Sequence, residues 1–119
     1  MSESRPYRQA MGITPSVESD ETWLLRFKPG LLGRPGFLHG GAIGGFLAET
    51  CDSTAEQEGG AHDAATTTMS FLRGGRERDT HARAFVRART SRFLVIEASA
   101  WQESPDKPTA TMTRTYLRR

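Results

Sequence analysis

A chain of 119 residues suits one domain with a single modest core. Its 36% hydrophobic and 25% charged residues exclude a disordered chain, and no apolar run nears the roughly 20 residues of a membrane-spanning helix. The net charge of +2 is divided unevenly, with residues 1–63 carrying −4 and residues 64–119 carrying +6, so the second half either attracts phosphates or presents a solvated sheet face.

The opening "MSESRPYRQAMG" lacks the apolar core of a secretory signal. Cys51 is the single cysteine, so no internal disulfide is expected; both features fit a cytoplasmic protein. A free cysteine is more often a small buried hydrophobe than a nucleophile.

In chain order, residues 1–7 read as a loose polar tail of a single domain, 1–119. Residues 8–15 read as a short strand, followed by the turn-like "SVESDE". "ETWLLRFKP" (21–29) alternates Trp23, Leu25 and Phe27 against Leu24, Arg26 and Lys28, a strand pattern. "PGLLGRPG" (29–36) holds two prolines and three glycines and reads as a loop. A helix is expected from about 40 to 57, because Ile43, Phe46, Leu47, Thr50, Cys51 and Thr54 recur at spacings of three and four. The opposite face carries Gly41, Gly45, Ala48 and Asp52, with Glu49 about 60° from Asp52.

Four strands follow, at 64–74, 80–90, 92–102 and 109–118, joined by the polar turns "GGRERD" and "ESPDKP". In 80–90, alternation puts Ala82, Ala84, Val86 and Ala88 on one face and His81, Arg83, Phe85, Arg87 and Arg89 on the other. Hairpin-linked strands and one helix make a two-layer α+β domain with an antiparallel sheet.

The start of the helix is unusual. Gly40, Gly41, Gly44 and Gly45 each cost roughly 0.8–1 kcal/mol inside a helix relative to alanine. Such a face suits a close approach by the sheet, a partner subunit or a ligand. A helix N-terminus presents free N–H donors and a partial positive charge, and can steady an anion or a carbonyl becoming one. The pattern is neither a P-loop nor a dinucleotide fingerprint. His39, His62 and His81 have no mutual ligand spacing, so no metal site is expected. Few aromatics interleave with the basic strands, which argues against nucleic-acid binding.

"GFLHGGAIGGFLAE", then "TTTMSFLRGG", "ARAFVRARTSRFLVIEASAWQ" and "PTATMTRTYL", resemble in order the hotdog-fold acyl-CoA thioesterases of the phenylacetate-degradation (PaaI-like) type. The resemblance spans roughly 21–118, and its most specific part is His-Gly-Gly at a helix start. It implies an antiparallel sheet wrapped around one long helix, and subunits paired edge to edge as a homodimer or homotetramer. The active sites would then lie between subunits, with a coenzyme A thioester as substrate and no cofactor.

In chemical terms, the resemblance implies hydrolysis of an acyl- or aroyl-CoA. The thioester carbonyl would rest on the Gly40 N–H, and a helix carboxylate from across the dimer would activate water. His39, Gly41, Thr66 and Thr68 would bind substrate, and Arg73, Arg89 and Arg92 would meet the coenzyme A phosphates. The family's usual carboxylate falls nine residues after the histidine, at Ala48 here, leaving Glu49 and Asp52 as candidates. Gly33 stands where the family frequently has asparagine, and Ala64 where it has a supporting serine or threonine. A non-catalytic acyl-CoA-binding or scaffold protein is the alternative.

Overall fold

A computed structural model describes residues 6–15 and 22–119. Helix α1 (Pro6–Met11) leads to strand β1 (Ile13–Pro15) and then β2 (Thr22–Leu25). A single 3-10 turn (Pro29–Leu31) precedes the long helix α2 (Gly40–Gln57). Strands β3 (His62–Phe71), β4 (Thr80–Arg89), β5 (Phe93–Trp101) and β6 (Pro108–Arg118) complete the chain. The six strands form one antiparallel sheet in the order β1-β2-β4-β5-β6-β3. The expected two-layer α+β arrangement is present, with α2 packed on one face of the sheet.

The expected helical stripe is the core face of α2. Ile43, Phe46, Leu47, Thr50 and Cys51 are buried, against Leu94, Ile96, Ala98, Ala100, Ala110 and Met112 of the sheet. Alanines on β5 and β6 let the helix approach closely while its large side chains fill the space. Thr54 is only half-buried. Gly59 and Gly60, at φ +80° and +75°, turn the chain out of the helix in the left-handed region that glycine adopts without cost.

The N-terminal region differs from expectation. The first part of 8–15 is helical, and only Ile13–Pro15 is a strand. Proline at the first helical position suits α1, and Arg8 fixes it to α2 by donating to Ser53 Oγ at 2.6 Å. Pro6 and Tyr7 belong to α1 rather than to a loose tail; residues 1–5 and the turn "SVESDE" lie outside the described residues. β2 is shorter than 21–29: beyond Leu25 the chain leaves the sheet, with Phe27 N donating to Asp79 Oδ1 at 2.7 Å.

Two bulges change which side chains face the helix. β4 gains a residue against β5 between Val86 and Ala88. Ala82, Ala84 and Val86 point at the core as expected, but Ala88 then pairs with outward Val95 and is exposed. The same shift turns Arg89 to the helix side, where it meets Glu58. β3 has a second irregularity against β6, between Ala64 and Thr66.

Phe46 is fully buried, so Phe46→Ala should lower unfolding free energy by about 3–5 kcal/mol, readable as a lower urea midpoint with an unchanged m-value.

Candidate active site

The loop before α2 is bolted on both sides. Leu38 N donates to Gly75 O at 2.8 Å, and His39 N donates to Leu31 O at 2.7 Å. His39 is the N-cap: its Nδ1 accepts from Gly41 N at 2.9 Å, and its carbonyl accepts from Ala42 N and Ile43 N. Acceptance at Nδ1 puts the ring proton on Nε2. Gly41 N–H is therefore occupied by the cap. The exposed Gly40 N–H makes no hydrogen bond among the described residues, and it sits at the positive end of the helix.

From Gly40, the small-residue face of α2 runs along the underside of β3. A Cβ on Gly40 would lie 3.4 Å from the Phe71 ring, and one on Gly44 would lie 3.4 Å from Met69 Sδ. Gly44, Gly45, Ala48 and Asp52 are half-buried along this seam. Since β3 is an edge strand, the seam opens where the sheet ends.

The carboxylates diverge. Asp52 lies twelve residues beyond Gly40, about 18 Å along the helix axis, so the two cannot meet within one chain. Its Oδ1 accepts from Tyr116 OH at 2.6 Å and from Arg114 Nη1 at 3.1 Å. Burial, then the bond to Asp52, pushes the Tyr116 hydroxyl well above the usual tyrosine range. With Ala55, His62 and Ala64, Asp52 and Tyr116 line a cavity of about 250 Å³ at the far end of the seam.

Glu49 is buried on another flank, 3.5 Å from Arg8 Nε, so the structure does not bring it to the small-residue face. Cys51 is fully buried, and its thiol is pushed up to about 12 by desolvation and then by Asp52; it is no nucleophile at neutral pH.

Register separates the threonines. Met69 and Phe71 face the helix, so alternation places Thr67 on that side and Thr66 and Thr68 on the outer face of the sheet. Thr66 and Thr68 are thus directed away from Gly40, contrary to expectation. The arginines separate too. Arg73 follows β3 at the end of the sheet that holds the helix start. Arg89 and Arg92 lie at the opposite end, where Arg89 is engaged by Glu58 at 2.6 and 3.1 Å, an ion pair that holds the Glu58 carboxyl below its usual range.

Tyr116 and Arg114, the partners of Asp52, carry no local sequence signal because they lie more than 60 residues away. Among the described residues no group of three or more His, Cys, Asp or Glu could hold a metal ion, and no helix is long and apolar enough to cross a membrane.

No protein-family model matches the sequence, and no curated sequence does. Solved structures do match. The E. coli PaaI protein from the phenylacetic acid degradation operon is 21% identical, over 97% of this chain and 85% of that one, with a TM-score of 0.85. A phenylacetic acid degradation-related protein from Ralstonia eutropha JMP134 is 18% identical, over 98% and 92%, at 0.83. The BH2602 protein from Bacillus halodurans, solved with CoA, is 12% identical, over 93% and 74%, at 0.82. By its topology and by these likenesses, the chain has the hotdog fold, as its resemblance to the phenylacetate-degradation thioesterases implied.

Proposed function

We propose that the protein is an acyl- or aroyl-CoA thioester hydrolase working as a homo-oligomer. The observation that carries this reading is the Gly40 N–H, unpaired among the described residues, at a helix start whose next donor is capped by His39. A thioester carbonyl seated there gains a hydrogen bond and the helix dipole as it becomes a tetrahedral oxyanion. Water attacks the carbonyl carbon, a carboxylate takes the water's proton, and the thiolate of coenzyme A leaves.

Asp52 is the better-placed carboxylate, acting on a partner's substrate. Among the described residues, β3 offers ten residues of unpaired edge with no proline, a surface that invites pairing. Phe71, at one end, lies beside Gly40, whereas His62 and Ala64, near the other, share a cavity with Asp52. Two copies joined antiparallel along β3 would bring one helix start level with the other's Asp52. In that arrangement His39 orients the loop, and Gly41 supplies the capped donor that keeps it in place. The CoA found with the Bacillus halodurans protein supports coenzyme A as the carrier.

A second reading, an acyl-CoA-binding protein without turnover, is favoured by Ala48 at the position where the resemblance expects an acid and by the ties of Asp52 to Tyr116 and Arg114.

Purified protein assayed against a panel of acyl-CoAs should release free thiol; binding without turnover of any member would favour the second reading. Asp52→Ala should lower kcat by about 10²–10⁴-fold. Glu49→Ala should keep the activity but cost about 1–3 kcal/mol of stability by leaving the half-buried Arg8 without this counter-charge. Full activity in both variants would sink the carboxylate mechanism. Light scattering should give a mass of two or more 13.1 kDa chains; an active monomer would rule out a carboxylate supplied across subunits.

A further inference from the structure

Between the β3–β4 loop and the β5–β6 hairpin lies a cleft of about 410 Å³ that the reading above leaves unused. Arg73, Arg76, Arg78 and Lys107 line it, against a single carboxylate, Glu103. Asp79, on the same loop, is turned away to accept from Phe27 N. Four cations lining one cleft repel one another unless an anion joins them, and among the described residues the ion pair made to them is that of Glu103 with Arg78, at 3.4 Å.

The cleft is held in shape. Gln102 Oε1 accepts from Arg76 N at 2.9 Å, and its Nε2 donates to Arg76 O at 3.0 Å, Arg78 O at 3.1 Å and Thr80 Oγ1 at 3.2 Å. One amide thus fixes the backbone under two arginines. The Arg76 guanidinium also lies 4.6 Å from the centre of the Phe37 ring, a stacking contact that orders it. Phe37 is wedged against Gly74, where a Cβ would come within 2.7 Å of the ring. An arginine cluster with ordered backbones recognises phosphate oxygens through paired, charge-assisted hydrogen bonds.

Position links the cleft to the helix start. The loop that carries Arg76 and Arg78 also carries Gly75, whose carbonyl holds Leu38 immediately before His39 and Gly40. We infer that this cleft binds the phosphates at the nucleotide end of a coenzyme A thioester whose carbonyl lies at Gly40, through Arg73, Arg76, Arg78 and Lys107. The inference rests on the coenzyme A reading above. It assigns phosphate recognition to Arg76, Arg78 and Lys107 in place of Arg89 and Arg92. It also makes the protein selective for coenzyme A over the same acyl group on bare pantetheine.

Titration calorimetry with adenosine 3′,5′-bisphosphate tests it without requiring hydrolysis. The protein should bind the bisphosphate, Arg76→Ala/Lys107→Ala should weaken binding at least tenfold, and Arg92→Ala should leave it unchanged. In turnover, the double variant should raise KM for an acyl-CoA about tenfold with little change in kcat, and should leave acyl-pantetheine unaffected. Equal bisphosphate binding by wild type and double variant, loss of binding in Arg92→Ala instead, or tighter binding of a single-stranded RNA oligonucleotide than of the bisphosphate would overturn the assignment. Bisphosphate binding that depends on Arg76 and Lys107, with no hydrolysis of any acyl-CoA, would uphold the cleft and sink the hydrolase reading alone.

Discussion

The first turn of α2 governs the rest of the molecule. A helix start must find partners for its leading amides or leave them to solvent or ligand. Here one side chain, His39, takes the Gly41 amide, and its own carbonyl takes the next two. The Gly40 donor is left outward at the mouth of a seam. That position is set by two backbone hydrogen bonds, from Leu38 to Gly75 of the β3–β4 loop and from His39 to Leu31 of the 3-10 turn.

The glycines at 40 and 44 keep the seam beside β3 open. Gly40 and Gly44 are approached by Phe71 and Met69 at ordinary van der Waals distance for an added Cβ. A larger side chain would extend beyond that Cβ into the seam. The helix gives up intrinsic stability on this face and recovers it through the buried stripe on the other, where Phe46, Leu47 and Cys51 are sealed from solvent. Stability and access thus reside on opposite sides of one element.

Much of this was legible in the sequence. The spacing of Ile43, Phe46, Leu47, Thr50 and Cys51 located the helix and its core face, because helical periodicity is a local property. The polar turns located the last four strands for the same reason, but they did not give the order. Among these strands only β4–β5 and β5–β6 are hairpins, whereas β3 crosses over to pair with β6 at the sheet edge, so "GGRERD" is a crossover loop and not a hairpin turn. What stayed hidden depends on single-residue shifts or on long-range contact. Alternation read through residue 87 put Arg89 on the wrong side, because a bulge has no sequence signature that alternation can detect. Nothing local separates Thr66 and Thr68 from Thr67 within a run of three threonines, and only the register with β6 shows that Thr67 is the one facing the helix. Asp52 read as a candidate from its helix face, but its partners Tyr116 and Arg114 lie on the last strand. α1 leaves no pattern in the sequence, because six residues are too few to show a period.

Cys51 has a practical consequence. Its thiol is the only one in the chain, it is fully enclosed, and it stays protonated at neutral pH. The native protein therefore contributes no reactive sulfur of its own. A reagent that reports thiols will register only what is released from a substrate, and a sudden rise in protein-derived signal will mark unfolding instead.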